Sequence, residues 1–216
     1  PAITVEAPDV QTHWADLGDV WQTEQQYIKP YPICRWAHAP IDGARMLRQQ
    51  HSLTHDQISR IDIRSFSNAI ALFPGMPDTT SQAQYSLAFA VGTMLRHGTI
   101  GLDQIANEGL ADKDVAALVA RTHLSVEPRH EARFPSGRWA DIAVTLTDGS
   151  VLESGDINAR GGPDDPFDAG QIIEKFMTFA APTLGEHRAA TIRDACLSLA
   201  EGADFSALLS HLRDAP

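Results

Sequence analysis

Hydrophobic and polar residues alternate along this chain with two different periods. Residues 38–50 repeat apolar side chains at helical spacing, whereas residues 58–66 alternate apolar and charged side chains as a half-buried strand does. Residues 139–147 and 150–154 flank Asp148-Gly149, a dipeptide typical of a tight turn, and so predict a β-hairpin. The pattern places alternate hairpin residues on opposite faces, with Asp141 among those on the face away from the core.

Helices are predicted before and after this hairpin. Thr79 and Gln82 match a capping box, and the apolar residues from Leu87 to Leu95 predict one face of a helix that ends at Gly98. Further short helices are predicted at 102–107 and 112–122, a strand at 124–127, and helices at 168–181, 189–200 and 205–212.

Strands that pair across intervening helices, with a hairpin at one edge, indicate an α+β fold with helices on one face of a small mixed or antiparallel sheet. The last helices have no strands to pack against in this order of elements. We therefore expect their apolar side chains, which include Ile172, Phe176 and Leu197, to pack on something other than the sheet.

Composition excludes several classes of protein. The chain has 216 residues, 43% of them hydrophobic, and a formal net charge of −11. Such an acidic surface disfavours nucleic-acid binding. Two cysteines, no apolar run of membrane-spanning length and no signal-peptide pattern at the N-terminus favour a cytoplasmic protein that does not enter membranes.

The segment of residues 29–38, Lys-Pro-Tyr-Pro-Ile-Cys-Arg-Trp-Ala-His, concentrates reactive side chains. Its two prolines stiffen the backbone, so that Lys29, Tyr31, Arg35 and His38 lose little conformational freedom on binding. Lysine and arginine bind carboxylates, and histidine or tyrosine can exchange protons. The same segment is also compatible with a rigid connector whose polar groups satisfy only the backbone.

Other motifs predict less chemistry. His51 and His55 have metal-chelating spacing but no nearby third ligand, so we predict no metal site. Gly161-Gly162 lacks the lysine and hydroxyl residue of a phosphate loop, and a flexible surface loop is favoured there over a substrate contact. No nicotinamide, flavin or pyridoxal phosphate pattern is present, so no cofactor is predicted.

Four stretches in order resemble the MmgE/PrpD superfamily, which includes 2-methylcitrate dehydratase, cis-aconitate decarboxylase and iminodisuccinate epimerase. The 29–38 segment is similar to the family's K-P-Y-P-x-C-R-x-x-H signature, and residues 81–87 (Ser-Gln-Ala-Gln-Tyr-Ser-Leu) to its E-A-Q-F-S-L helix, with Gln82 in place of the acidic residue. The Asp148-Gly149 hairpin and the 161–166 loop followed by Lys175-Phe176 complete the series.

The resemblance implies a lead-in at 1–28, an α+β lid at 29–156, and a loop with returning helices at 157–216. The returning helices would belong to an all-helical domain, whose Asp, Thr and His catalytic candidates have no counterpart in this sequence. The implied activity is a cofactor-free lyase or isomerase reaction, by proton transfer next to a carboxylate, on a small di- or tricarboxylate. A homo-oligomer or a separate helical subunit would complete the site; a non-catalytic carboxylate-binding or protein-interaction module is the alternative.

Lys29 matches the family's active-site lysine and, by the resemblance, would stabilise charge on the substrate carboxylate or carry a proton. His38 and Tyr31 are the further catalytic candidates. The predicted substrate-binding residues are Arg35 from the same segment, and Tyr85 and Ser86 from the second motif.

Overall fold

A computed structural model describes residues 12, 14–21, 23 and 26–213, so the predicted lead-in at 1–28 lies largely outside the described residues. The ten α-helices and five strands of the described part confirm the α+β fold class. The helices are α1 (His38–Gln50), α2 (Ser67–Ile70), α3 (Thr80–Gln84), α4 (Leu87–His97), α5 (Leu102–Ile105), α6 (Lys113–Ala120), α7 (Pro128–Glu131), α8 (Ala169–Leu184), α9 (Glu186–Ser198) and α10 (Phe205–Arg213). The strands are β1 (Ile58–Ser65), β2 (Thr122–Val126), β3 (Trp139–Leu146), β4 (Val151–Glu153) and β5 (Ile157–Asn158).

The strands form one mixed sheet in the order β2-β1-β3-β4, with β5 also paired to β3. β1 runs parallel to β2 and antiparallel to β3, and the predicted hairpin joins β3 to β4. Because β2 and β1 are parallel, the chain must cross over between them, and helices α2 to α6 make that connection.

The core lies where α1, α4 and α6 pack on one face of the sheet. Ile61 and Ile63 of β1 and Ile142 and Val144 of β3 are fully buried, as the alternation predicted. The other face is not simply solvated, however, because Asp141 is also buried. Short helix α7 packs against β1 and covers this end of the outer face, which the period of the hairpin could not reveal.

The predicted helix up to Gly98 is two helices. The chain breaks at Tyr85 and Ser86, and the Ser86 hydroxyl accepts a hydrogen bond from the Phe89 amide to cap the start of α4. Residues 87–95 are buried on every side rather than on one face, because α4 lies in the middle of the core. Gly98 ends the helix in the left-handed conformation that glycine favours.

The three C-terminal helices pack chiefly on one another. α8 contains no buried residue, and Ile172, Leu197 and Phe205 are exposed. No helix in the described part of the chain is both long enough and apolar enough to cross a bilayer.

Candidate functional site

Two of the predicted catalytic side chains meet at one backbone carbonyl. The ammonium of Lys29 and the Nε2 atom of His38 each lie 3.1 Å from the carbonyl oxygen of Ile33. The tight path of the 29–38 segment, which leads through a 3₁₀ turn at Arg35–Ala37 into α1, brings the two residues together. Lys29 is exposed to solvent, whereas His38 is completely buried.

His38 is a neutral imidazole at pH 7. Burial lowers its pKa from 6.5 to about 4, outweighing the carbonyl of Ile33 and the charge of Asp42, which act in the opposite direction. A carbonyl only accepts hydrogen bonds, so Nε2 carries the proton and Nδ1 carries a lone pair. Among the described residues, nothing hydrogen-bonds to this Nδ1 atom.

Acidification should destabilise the protein through His38. In the unfolded chain His38 takes up a proton around pH 6.5, whereas in the folded chain it does so only around pH 4. The free energy of unfolding therefore decreases as pH falls through that interval. We expect a loss of roughly 2 kcal/mol between pH 7 and pH 5, measured by urea unfolding. His38→Gln should remove most of this dependence, whereas His187→Gln, at an exposed position on α9, should leave it intact. Equal slopes in both variants would contradict the assignment.

Tyr31 points away from Lys29 toward a buried carboxylate. Its hydroxyl donates to Asp42 Oδ1 over 2.7 Å, and the Arg160 guanidinium donates to the same oxygen over 2.9 Å. Burial, followed by the Asp42 charge, raises the pKa of Tyr31 above its usual range. The phenol is therefore protonated and acts as a hydrogen-bond donor, while its ring meets the His38 ring edge-on with centroids 5.4 Å apart.

Arg35 holds the loop that carries Arg160. Its guanidinium donates to the carbonyls of Ala159 and Arg160, each over 3.0 Å, and stacks on the ring of Tyr27. Gly161 and Gly162 are buried beneath this contact, so the prediction that they lie on the surface is wrong for these two residues, whereas residues 163–166 of the loop are exposed. A Cβ atom at Gly162 would lie 2.1 Å from the Tyr27 ring, which explains why glycine is required.

The second motif, residues 81–87, contacts backbone groups of the 29–38 segment. The amide of Cys34 donates to the Gln84 carbonyl, and the Gln84 side chain donates to the Pro32 carbonyl. The neighbouring Tyr85 is 52% exposed, and the buried Ser86 hydroxyl donates to the Gly75 carbonyl in addition to capping α4.

An open cleft of about 330 Å³ lies between α1, α8 and the start of the 29–38 segment. Of the six predicted site residues, only Tyr31 lines it. Its cationic side chains are Arg45, Arg160 and Lys175, none of which the sequence had indicated as ligands. Arg45 lies one turn after Asp42 on α1, a spacing that could have marked it, but Arg160 and Lys175 are distant in sequence.

A second polar cluster lies beneath α7. Ligand atoms of His130, Asp141 and Asp156 lie within 4.8 Å of one another, close enough to hold a metal ion. Arginines already occupy these carboxylates, however, since Arg129 contacts Asp141 at 2.6 Å and Asp156 at 3.0 Å. The donor set therefore fits an ion-pair network better than a cation site.

The fold and the cleft define the class of this protein as a mixed α+β domain with a cation-lined cleft beside its C-terminal helices. A sequence profile of the MmgE/PrpD C-terminal domain matches residues 31–201, and the chain belongs to this family. The match confirms the resemblance drawn from the four motifs. It begins after Lys29, whose role remains a prediction. No individual curated protein matches the chain.

Proposed function

We propose that this chain is the substrate-binding and lid part of a cofactor-free lyase or isomerase that acts on a small di- or tricarboxylate. The observation that carries the proposal is the 29–38 segment, which holds Lys29 and His38 at one carbonyl and Tyr31 at a cation-lined cleft, within a member of the MmgE/PrpD family. The reaction would be proton transfer next to a carboxylate, leading to dehydration, decarboxylation or epimerisation.

Lys29 would supply the cation for this reaction. Removal of a proton adjacent to a carboxylate places additional negative charge on the carboxylate oxygens, and a fixed ammonium stabilises that charge in the transition state. The Ile33 carbonyl holds the ammonium without neutralising it. His38 would support the same carbonyl from the buried side, so its role would be to position Lys29 rather than to contact substrate.

The C-terminal helices support the need for a partner. Ile172, Leu197 and Phe205 remain exposed, and α8 to α10 pack on one another rather than over the sheet. We propose that residues 29–156 form the lid and residues 157–216 the part that joins an all-helical domain, supplied by a partner chain or by a self-associated dimer. That assembly would bring the catalytic base to the substrate.

The test combines native mass with a proton-transfer assay. Light scattering should show an oligomer of the chain, or a stoichiometric complex when it is co-expressed with its genomic neighbour. Proton NMR in D₂O, with a panel of small di- and tricarboxylates, should then show deuterium incorporation next to a carboxylate, a readout shared by all three reactions. A monomer that recruits nothing, or an assembly that exchanges no proton in any compound, would overturn the proposal and favour a carboxylate-binding module.

A further inference from the structure

The cleft concentrates positive charge in an acidic protein. Arg45, Arg160 and Lys175 reach it from three separate elements, namely α1, the loop after β5, and α8. Two carboxylates face them, the buried Asp42 and the exposed Glu174. The chain as a whole carries a formal charge of −11, so this cleft, with three cations against two carboxylates, has a local charge opposite in sign to that of the whole chain.

Asp42 fixes the arrangement of these cations. Its side chain is 5% exposed, and its Oδ1 atom accepts hydrogen bonds from Tyr31 and Arg160. The same atom lies 3.7 Å from the Nε atom of Arg45. A single carboxylate oxygen shared in this way holds two guanidinium groups in place but balances only one of their charges. Asp42 is therefore a positioning residue for the cleft.

The two arginines present accessible guanidinium side chains to the cleft. The Arg45 and Arg160 side chains both contact Asp42 and line the cleft, and they are 36% and 25% exposed. An anion in the cleft can therefore reach the part of each side chain that is open to solvent. Guanidinium groups match the planar fork of a carboxylate.

We infer that Arg45, Arg160 and Lys175 form a carboxylate-binding subsite for a small di- or tricarboxylate, separate from Lys29. The volume of about 330 Å³ is at the lower end for small-molecule sites. This inference deepens the proposed function, on which its choice of a carboxylate over other anions rests. Lys175 provides the third cation from α8, so a ligand would join that helix to α1.

The three lysines of the chain provide a matched test of this subsite. Citrate binding to the 216-residue chain is measured by calorimetry for Lys175→Gln, Lys29→Gln and Lys113→Gln, the last at an exposed position at the start of α6. Glutamine removes the charge and preserves helix propensity. We expect Lys175→Gln to raise Kd about tenfold and Lys113→Gln to bind as the unaltered chain does, with any weakening in Lys29→Gln smaller than that in Lys175→Gln.

The other outcomes separate a failure of this inference from a failure of the proposed function. The inference would be overturned if citrate showed no saturable binding, or if Lys175→Gln and Lys113→Gln weakened citrate binding equally. It would also be overturned if neutral succinamide bound as tightly as citrate. Tighter binding of inorganic phosphate than of citrate would overturn the assignment to carboxylates. If only Lys29→Gln lost citrate affinity, the carboxylate would bind at Lys29 rather than in the cleft, and the proposed function would stand. If Lys175→Gln weakens citrate binding as expected but no assembly exchanges a proton in any compound, the proposed function is refuted and the subsite stands.

Discussion

Asp141→Ala should lower the free energy of unfolding by about 3 kcal/mol. The Asp141 side chain is 3% exposed and accepts hydrogen bonds from Arg64 on β1 and from Arg129 and His130 of α7. Its removal leaves the completely buried His130 without an acceptor for Nε2. The two arginines are partly exposed and can be hydrated, which keeps the loss below that of a fully buried charge.

Asp62→Ala is the matched control for this variant. Asp62 lies on β1 of the same sheet and pairs with Arg60, but both side chains are solvent-accessible, so we expect a change of at most about 1 kcal/mol. Urea unfolding monitored by circular dichroism measures both variants. If both variants lost a similarly small free energy of unfolding, the network beneath α7 would contribute no more to stability than a surface ion pair.

Lys29→Ala should reduce turnover of the active assembly by about 100-fold or more, the magnitude typical of losing one group that stabilises transition-state charge. The Lys29 side chain is exposed and its only hydrogen bond within the described residues is to the Ile33 carbonyl, so stability should change little. Any loss of citrate affinity should be smaller than in Lys175→Gln, because Lys29 does not line the cleft. The deuterium-incorporation assay measures the rate.

Lys29→Arg distinguishes the two roles that the family resemblance allows. Arginine retains a cation but does not give up its proton, so retention of most of the turnover would indicate charge stabilisation, and loss would indicate proton transfer. Lys113→Ala serves as the control with unchanged turnover. Full activity in Lys29→Ala would remove Lys29 from the mechanism.

Local elements follow closely from the sequence. The predicted helix at 38–50 has the observed bounds of α1, and the hairpin turns at Asp148-Gly149 as predicted. Periodicity succeeds here because each element buries one face, and the interval between apolar residues then reports the local geometry. It fails for α4, whose residues 87–95 are all buried, and it misses the break at Ser86.

Prediction of the site is limited by sequence distance. The 29–38 segment could be recognised because its chemistry is contiguous, yet Arg35 of this segment contacts the carbonyls of Ala159 and Arg160 rather than lining the cleft. Arg160 and Lys175 line it instead, from a loop and a helix more than a hundred residues further along. No local pattern marks Arg160, and Lys175, although it belongs to the Lys175-Phe176 motif, carries no local sign that it would line a cleft.

The α+β class, most of the helices and strands, and the family could all be predicted from the amino-acid sequence, because they depend on local periodicity, turn chemistry and short motifs. Which charged residues are buried, and which of them meet, became clear only from the folded chain. Asp141 became a buried anchor because α7 covers it, and Asp42 came to hold Tyr31 and Arg160 because the loop after β5 returns to α1. The physical reason is that burial and charge pairing depend on contacts between distant segments, which exist only once the chain has folded.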